Sequence, residues 1–562
     1  MANSNSKPLL IVESPSKAKT ISKYLGGKYN VIASVGHIKD LPRKEIGIDI
    51  ENDFSMVEDV LEDKKEFVKE LRSMAKGTDK VVIATDPDRE GEAIAAHIAS
   101  EVDNEKISRV QFTEITKEGV DEGMNNPRQI DKDLVEAQTA RRIIDRLIGY
   151  KISPVLWSTL KKNMKFVSVN LSAGRVQSAA LKIMIERERL RQAFNSATYY
   201  DIIASFKSGN TEFNALLSKI DNKRIAVGKD FDPNTGKLNN EDVILLSESQ
   251  ARTLIKELDN GNWTVTNVEE KIVNSNPKPP FTTSTLQQEA ARKLRSSAKK
   301  TMRDAQQLYE KGFITYMRTD STSLSEEGIN GARNLILKKY GDEYLPSTSK
   351  RYSTKVKNAQ EAHEAIRPAG INFATREKVQ QSLDNDTARL YDLILKRTLA
   401  SQMKSAKIKR VSVSVENGKT LFKANGKVIL FPGYMAAYVE SSDKRNPSHD
   451  DQETILPPLK QGELLNCERL LPNEHQTKPP ARFTEASLVK ELESKGIGRP
   501  STWANTIDTI VRRTYVMRNQ GKLTPTFLGM AVTQLLENHF NSLVDSKFTA
   551  EMDNRLDAIS RG

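Results

Sequence analysis

Two short apolar runs limit the fold of the N-terminal part of this chain more than any other feature. Residues 8–12 (PLLIV) and 80–84 (KVVIA) are rich in β-branched side chains. Each run is followed by a polar turn and then by an amphipathic helical pattern. Alternation of strand, turn and helix is typical of α/β domains. The sequence therefore predicts an α/β domain in this region.

The rest of the chain changes from a helical to a strand-like pattern and back. Residues 132–194 have a helical pattern, whereas 198–274 and 405–470 contain alternating stretches typical of strands. Residues 281–400, between the two strand-like regions, are mostly helical in pattern. The simplest interpretation is a helical segment inserted into a β-rich domain. A length of 562 residues corresponds to roughly three to five domains.

The charge and cysteine content restrict the partners and cofactors of the chain. Lys and Arg total 86 against 74 Asp and Glu, and the net charge of +12 favours an anionic partner. The single cysteine, Cys467, excludes an intrachain disulfide and zinc sites built from paired thiolates. No apolar run approaches the roughly 20 residues of a membrane span. We therefore expect a cytoplasmic protein whose metal ions, if any, are bound by oxygen or histidine.

Acidic residues follow both predicted strands. Glu13 ends the first strand, and Asp86, Asp88 and Glu90 lie in the turn and helix start after the second. Ligands of α/β domains bind beyond the carboxyl ends of the strands. Acidic side chains at alternating positions repel one another unless a cation joins them, and hard oxygen donors suit Mg²⁺. The alternative is that they only cap the helix and favour its dipole.

A second candidate site is the segment EKGFITYMRTDSTSLS. It places Tyr316 two residues before Arg318 and four before Asp320. A tyrosine can act as a nucleophile, and an arginine can bind the oxygens of a phosphate. A packing role for the tyrosine is the alternative. His37 and His363 are also candidates, although a hydrogen-bonded structural histidine is the more common case.

Two basic segments have features of nucleic-acid binding. In KKNMKFVSVNLSAGRVQSAAL, three lysines and then small residues precede a helix, so that backbone N–H groups and the side chains of Arg175 and Gln177 can reach phosphates. Residues 496–516 predict a glycine-rich turn and a helix, followed by a small hairpin. That unit suits either duplex binding or plain packing. Tyr150 and Trp157 are candidates for local base stacking.

Together these segments resemble the type IA DNA topoisomerases, most closely the bacterial topoisomerase I branch. The resemblance covers nearly the whole chain and rests on an ordered series of motifs: LLIVESPSKAKTI, SVGHIKDLP, ATDPDREGEAIA, ARRIIDRLIGY, LSAGRVQSAAL, PPFTTSTLQQEA, GFITYMRTDST, EAHEAIRP and GIGRPST. It implies a multidomain protein of α/β, α and β parts, arranged as a ring of four domains. The implied domains are an N-terminal Toprim α/β domain at 1–155 with an inserted segment near 40–75, a helical DNA-binding domain at 156–198 and 475–562, a β-rich arch at 199–274 and 402–474, and an inserted helical domain with the tyrosine at 275–401.

The resemblance also implies an activity. The family cleaves one DNA strand through a transient 5′-phosphotyrosine, passes a strand and religates, which relaxes negatively supercoiled DNA without ATP. The implied catalytic residues are Tyr316 as nucleophile, Arg318 as stabiliser of the phosphorus centre, Glu13 with Lys17 at the 3′-oxygen, and His363 in support. The implied Mg²⁺ ligands are Glu13, Asp86, Asp88 and Glu90. The positions implied to contact DNA are His37, Arg141, Arg142, Asp145, Tyr150, Trp157, Ser172, Ala173, Gly174, Arg175, Val176, Gln177, Arg318, Arg513 and Tyr515.

Further expectations follow from the same resemblance. We expect a monomer that acts on DNA in the bacterial nucleoid, with neither ATP nor a membrane involved. Bacterial members usually continue into zinc ribbons, whereas this sequence has no paired cysteines, so we expect no zinc in it. Trp503 replaces the usual tyrosine after GIGRPST, and we expect another stacking ring there.

Three other interpretations remain open. A topoisomerase III-like decatenase belongs to the same family. A Toprim nuclease or primase would use the acidic residues directly but would leave the Tyr316 segment unexplained. A basic DNA-binding scaffold would bind DNA without forming a covalent adduct.

Overall fold

The computed structural model describes residues 7–162, 170–209, 211–259, 261–353, 364–439 and 455–562. Its α-helices are α1 Pro15–Leu25, α2 Lys65–Lys76, α3 Arg89–Ala99, α4 Lys117–Asn125, α5 Lys132–Leu156, α6 Arg175–Gln192, α7 Glu248–Leu258, α8 Thr283–Glu289, α9 Ala298–Glu310, α10 Glu326–Tyr340, α11 Arg376–Gln380, α12 Asn385–Gln402, α13 Glu485–Ser494, α14 Trp503–Arg512, α15 Phe527–His539, α16 Asn541–Val544 and α17 Ser546–Ile559. Its strands are β1 Leu9–Val12, β2 Asn30–Ala33, β3 Lys39–Asp40, β4 Ile48–Asp49, β5 Ser55–Met56, β6 Asp59–Val60, β7 Val81–Ala84, β8 Ile107–Arg109, β9 Thr198–Ser208, β10 Thr211–Ile220, β11 Lys223–Ile225, β12 Val243–Ile244, β13 Trp263–Ser275, β14 Ala406–Asn417, β15 Thr420–Phe431, β16 Leu464–Gln476, β17 Val516–Asn519 and β18 Lys522–Pro525.

These elements form two compact units. Unit 1 consists of Met1–Ile185, Lys278–Met403 and Phe483–Gly562, and unit 2 of Glu186–Pro277 and Lys404–Arg482. None of the helices in the described ranges combines the length and apolar character that crossing a membrane requires. The finer division into four domains stays a prediction.

The N-terminal α/β region of unit 1 is built on a parallel four-stranded sheet. The strand order is β2-β1-β7-β8. β1 and β7 are buried at every residue, as expected for central parallel strands covered on both faces. Ile94 and Ile98, both on α3, pack against this sheet. The predicted α/β domain is confirmed, and the last residues of β1 and β7, Val12 and Ala84, lie side by side.

A helical core forms another part of unit 1. This core contains buried residues from the end of α5, from α6 and from the helices that begin with α13. The predicted helix and hairpin near residues 496–525 are confirmed as α14, β17 and β18. Trp503 at the start of α14 is only 4% exposed, and its indole N–H donates to the Ile497 carbonyl at 2.9 Å. The expectation of a stacking ring is therefore wrong, because the indole fills the helical core.

Unit 2 is one large, mostly antiparallel sheet with eight strands in the order β12-β11-β10-β15-β14-β13-β16-β9. The two strand-like regions of the sequence meet where β13 pairs with β14. The Trp263 ring packs edge-on against Phe206 and Phe422, at centroid distances of 5.1 and 5.0 Å. The predicted insertion of helical sequence into a β-rich domain is confirmed.

Asp230 of unit 2 provides a test of pH dependence. Its carboxylate accepts two hydrogen bonds from Arg224, at 2.7 and 2.8 Å, and these lower the pKa of Asp230 to about 2. A depressed carboxyl pKa stabilises the fold fully above the unfolded value of about 3.9, and this stabilisation is lost as the pH falls toward the folded value. We expect Asp230→Asn to be less stable than the wild type at pH 6, with the difference shrinking as the pH falls below about 4.

Urea unfolding over a pH series measures this difference. The exposed Asp242 is the matched control, and Asp242→Asn is expected to track the wild type throughout. A constant difference between Asp230→Asn and the wild type from pH 6 to the acid limit would contradict the assignment of an ionic contribution to Asp230.

Candidate active site

The acidic segments of the sequence meet at one edge of the parallel sheet. Since β1 and β7 are neighbours in register, Glu13 and Asp86 follow them side by side. The Glu13 carboxylate accepts the backbone N–H of Asp86 at 2.7 Å. The turn after β7 thus holds the carboxyl group that follows β1.

Asp88 begins the helix after that turn. It caps α3, and its carboxylate accepts the Gly91 N–H at 2.8 Å. The turn lies so close to the helix that a side chain on Gly91 would place its Cβ 2.2 Å from the Asp86 carbonyl oxygen. Glycine is required there for this close approach. The capping role considered from the sequence is therefore real for Asp88, but it uses only part of the carboxylate.

Arg109 holds the same turn from behind. Its side chain is fully buried and donates to the carbonyl oxygens of Thr85 and Asp86, both at 3.0 Å. It also pairs with the buried Glu92 at 3.1 Å. The sequence analysis did not find this residue, because a lone arginine at the end of a short strand carries no pattern.

Tyr316 reaches the acidic turn from a distant part of the chain. Its backbone N–H donates to the Thr113 carbonyl at 2.8 Å, which fixes the tyrosine segment just beyond β8. The side chain is 1% exposed, and its hydroxyl donates to Asp88 Oδ2 at 2.5 Å. The predicted nucleophile and the acidic turn, 228 residues apart in sequence, therefore form one site.

Two cations complete this cluster. Arg318 donates to the same Asp88 Oδ2 at 2.9 Å, and its side chain is still 31% exposed. Lys17 is buried and pairs with Asp86, and its ammonium lies 5.3 Å from the centre of the Tyr309 ring. Arg318 can therefore reach an incoming anion, whereas Lys17 is held inside.

Burial and the neighbouring charges shift the pKa values of the cluster in different directions. Burial, together with the charge of Asp86, raises the pKa of Glu13 to about 8. Burial alone would raise the pKa of Asp88, but Arg318 and the Tyr316 hydrogen bond outweigh it, so that this pKa is lowered. Burial and the Asp88 charge raise the pKa of Tyr316 well above its usual value. The pKa shifts therefore favour the protonated forms of Glu13 and of the Tyr316 phenol, and the ionised form of Asp88.

The acidic cluster contains the kind of oxygen donors that bind divalent cations. Glu13, Asp86 and Asp88 are hard oxygen donors, and the negative charges of the two aspartates raise the pKa of Glu13, so this set suits Mg²⁺ chemically. In the part of the chain that the structure describes, no three His, Cys, Asp or Glu side chains are arranged to bind one metal ion. The carboxylates do not converge on one point, because that of Asp86 pairs with Lys17 and that of Asp88 accepts from Tyr316 and Arg318.

Glu90 and His37 form a pair beside the cluster. His37 Nε2 lies 2.6 Å from Glu90 Oε1, and His37 Nδ1 lies 3.3 Å from Nδ1 of His97. Burial lowers the pKa of His37, but the contact with Glu90 outweighs this effect and raises it. Glu90 remains half exposed. His363 lies outside the described residues.

Several predicted DNA-contact residues gather around the loop at 172–177. The Tyr515 hydroxyl accepts the Ser172 N–H at 2.8 Å and donates to the Ser172 carbonyl at 2.9 Å. Gln177 donates to the Ser172 hydroxyl at 3.2 Å, and Arg513 donates to the Asn170 carbonyl at 2.5 Å. Tyr515 is 2% exposed. Its direct contacts in this structure are therefore with the loop.

Further predicted DNA-contact residues lie on α5 or directly after it. Trp157 is 45% exposed and donates its indole N–H to the Leu171 carbonyl at 2.6 Å. Arg142 pairs with Asp40, and the Tyr150 hydroxyl donates to the Lys44 carbonyl. Asp145 lies 3.4 Å from the buried Arg175. Trp157 thus presents an accessible aromatic surface, whereas Arg175 faces the interior.

The last helix supplies two residues that the sequence analysis missed. Asp553 and Asp557 of α17 are fully buried. Asp553 accepts from Arg175 at 2.7 Å and from the Gly498 N–H at 2.8 Å. Asp557 pairs with Arg89 and Arg499, both at 2.6 Å. One helix therefore holds both the loop at 172–177 and the helix start that follows Asp88.

The chain matches two family models. One is described as DNA topoisomerase and matches residues 129–562. The other is described as Toprim domain and matches residues 8–115. The second match covers the four-stranded sheet and its acidic turn, and the first includes the Tyr316 segment.

Relatives and a solved structure match the chain over almost its full length. It is 48% identical to DNA topoisomerase 1 of Synechocystis sp. over 99% of this chain and 62% of that protein. It is 46% identical to DNA topoisomerase 1 of Mycobacterium tuberculosis over 100% of this chain and 62% of that protein. The structure of full-length topoisomerase I from Thermotoga maritima covers 99% of this chain and 87% of that one, with 38% identity and a TM-score of 0.82.

The chain thus spans slightly less than two thirds of the length of these curated relatives. Within that span both family models, the relatives and the structural match agree. The chain belongs to the bacterial topoisomerase I branch of the type IA DNA topoisomerases and carries a Toprim domain.

Proposed function

We propose that this chain is an ATP-independent topoisomerase that cleaves one DNA strand through a transient 5′-phosphotyrosine on Tyr316, passes a strand and religates. Its substrate is negatively supercoiled duplex DNA with single-stranded regions. The observation that carries the proposal is the Tyr316 hydroxyl donating to Asp88 at 2.5 Å, with Arg318 on the same carboxylate oxygen. A nucleophile, a proton acceptor and a phosphate-binding cation are thus in contact.

In the cleavage step, the Tyr316 oxygen attacks the phosphorus of a phosphodiester. The new bond joins Tyr316 to the 5′-phosphate, and the bond from phosphorus to the 3′-oxygen breaks. The phenolic proton passes to Asp88, which already accepts it. Glu13, whose pKa is raised to about 8, supplies the proton that the departing 3′-oxygen takes up, and the buried Lys17 lies beside the same carboxylates.

Arg318 acts on the charge that develops at phosphorus. Its guanidinium is planar, presents several N–H donors and is partly exposed, so that it can bind two phosphate oxygens. Resealing is the reverse reaction, in which the 3′-hydroxyl attacks the phosphotyrosine and Tyr316 recovers its proton. No net energy input is required, because the phosphotyrosine conserves the energy of the phosphodiester.

The proposed Mg²⁺ ligands are Glu13, Asp86, Asp88 and Glu90, and the ion would supply positive charge for holding the 3′-end during resealing. The proposed DNA path includes His37, Trp157 and the loop at 172–177. We further propose a monomer acting in the bacterial nucleoid.

Two alternatives differ in their outcomes. A Toprim nuclease or primase does not require a buried tyrosine that is hydrogen-bonded to Asp88. The hydrogen bond of 2.5 Å between Tyr316 and Asp88 therefore favours the topoisomerase. A topoisomerase III-like decatenase would share the cleavage chemistry and would separate linked circles more efficiently than it relaxes supercoils.

The test of the proposal uses single-stranded DNA labelled at its 3′-end. The wild type is incubated with this DNA, quenched with denaturant and separated under denaturing conditions. We expect label on the protein, because the 5′-phosphate side of the break stays attached to Tyr316. Free labelled fragments without adduct would support a nuclease, and binding without cleavage would support a scaffold.

The two aspartates of the acidic turn should have separable effects. We expect Asp86→Asn to slow Mg²⁺-dependent resealing more than cleavage, because Asp86 contacts Lys17 and not Tyr316. We expect Asp88→Asn to slow both reactions, because it also removes the proton acceptor of Tyr316. Rates of adduct formation and resealing, with calorimetric titration of Mg²⁺, measure these effects. Normal resealing and normal Mg²⁺ binding in Asp86→Asn would contradict the ligand assignment.

A further inference from the structure

Val35 lies in a strained corner beside the acidic cluster. Its φ is +56°, in the left-handed region, and the following Gly36 has a φ of +85°. For a β-branched residue this conformation is a genuine outlier, because the branched Cβ crowds the backbone. Strain of this kind persists only where the surrounding structure imposes it, and it is concentrated at functional sites.

Backbone contacts hold the corner in place. The Val35 N–H donates to the Glu13 carbonyl at 2.9 Å, and the preceding Ser34 N–H donates to the Val12 carbonyl at 2.9 Å. Lys64 donates to the carbonyl oxygens of Ser34 and Val35, at 3.2 and 3.0 Å. All of these contacts use backbone atoms of residues 34 and 35, so a glycine at position 35 would make them without strain.

The side chain of Val35 gains little from folding. It is 58% exposed, and nothing lies within 4 Å of the place where a Cβ on Gly36 would be. The corner is therefore open to solvent on this side. Neither the backbone nor burial explains a branched hydrocarbon at this position.

The surroundings of the corner indicate what the hydrocarbon contacts. The Val35 N–H donates to the backbone carbonyl of Glu13, and His37, two residues further on, pairs with the carboxylate of Glu90. Carboxylates repel the phosphates of a nucleic acid, whereas Lys64, which donates to the Val35 carbonyl, and the partly exposed Arg318 are cations that can bind them. The parts of a nucleotide that suit an exposed isopropyl group are its deoxyribose and the face of its base.

We propose that Val35 is a substrate-contact residue, whose strained backbone holds the isopropyl group against the sugar or base of a nucleotide in the single strand bound at the acidic cluster. This inference rests on the proposed function, since it takes DNA as the substrate. It assigns to Val35 an apolar contact that is independent of the phosphate contacts.

The test compares Val35→Gly and Val35→Asn with Val35→Ile. Glycine and asparagine both accept the left-handed conformation, and both lack the hydrocarbon. We expect them to raise the Kd for a fluorescent single-stranded oligonucleotide about five- to tenfold. The slope of log Kd against log salt should not change, because that slope counts phosphate contacts. Val35→Ile should stay within about twofold of the wild type.

Phe54 provides the matched control. It is also a bulky apolar residue with a positive φ, +55°, it is 45% exposed, and it lies in the turn between β4 and β5 of the same unit. Phe54→Gly relieves a similar strain away from the cluster, so we expect wild-type affinity. Urea unfolding of Val35→Gly and Val35→Asn should show no loss of stability.

The outcomes separate this inference from the proposed function. Wild-type Kd in both Val35→Gly and Val35→Asn, with normal adduct formation by the wild type, would overturn the Val35 contact alone. A weakened Kd accompanied by a changed salt slope and lower stability would also overturn it, in favour of a structural role. No adduct from the wild type, with a weakened Kd in the Val35 variants, would overturn the proposed cleavage while supporting the contact.

Discussion

Tyr316→Phe is expected to reduce covalent DNA adduct formation by at least about 10³-fold, because it removes the attacking oxygen. Binding of single-stranded DNA should persist, since the variant keeps the ring and its packing. Among the residues that the structure describes, the hydroxyl makes one hydrogen bond, to Asp88. Transfer of 3′-labelled DNA to the protein measures the first effect, and fluorescence anisotropy of an oligonucleotide measures the second.

The structure offers a matched control for this substitution. Tyr309 is also buried, and its ring packs edge-on against Tyr316 at a centroid distance of 5.2 Å. Its hydroxyl donates to the Phe112 carbonyl at 2.6 Å and has no part in the proposed chemistry. We expect Tyr309→Phe to form adduct. Undiminished adduct in Tyr316→Phe would place the nucleophile elsewhere in the chain.

Asp553→Ala is expected to lower the free energy of unfolding by about 3–5 kcal/mol, the range for removing one partner of a buried ion pair. It leaves the buried Arg175 without its partner at 2.7 Å and the Gly498 N–H without its acceptor. Urea unfolding followed by circular dichroism measures this loss. The same variant should weaken DNA binding, because Arg175 lies in the loop at 172–177.

Glu551 on the same helix is the control. It pairs with Arg555, but both side chains are largely exposed, so we expect Glu551→Ala to cost no more than about 0.5 kcal/mol. The pair Asp553→Leu with Arg175→Met should be less destabilising than Asp553→Ala alone, because the buried charge of Arg175 is then removed together with that of its partner. Equal losses in Glu551→Ala and Asp553→Ala would contradict the buried-pair argument.

Local patterns predicted much of the fold. β-branched runs followed by helical patterns predicted β1, α1, β7 and α3. A buried strand appears in a sequence as a short apolar run, and an amphipathic helix as apolar residues three or four positions apart. The alternating stretches predicted the sheet of unit 2 on both sides of the helical insertion. Trp503 was the exception, since the same aromatic ring can stack on a base or fill a core.

The sequence by itself determined which residues are candidates for the chemistry. Acidic residues directly after two strands, and a tyrosine two residues before an arginine, identified Glu13, Asp86, Asp88, Tyr316 and Arg318 as candidates, and the ordered motifs identified the family. These signals are local, because a strand end, a helix cap and a motif each involve residues close together in the chain.

Only the tertiary structure decided how these residues meet. Tyr316 donates to Asp88 because its segment lies beyond β8 in the folded chain. Arg109, Asp553 and Asp557 hold the site from within the core. Sequence periodicity reports which face of an element is buried but not what it is buried against. Packing between distant segments therefore set the hydrogen bond between Tyr316 and Asp88, the buried ion pairs and the strained corner at Val35.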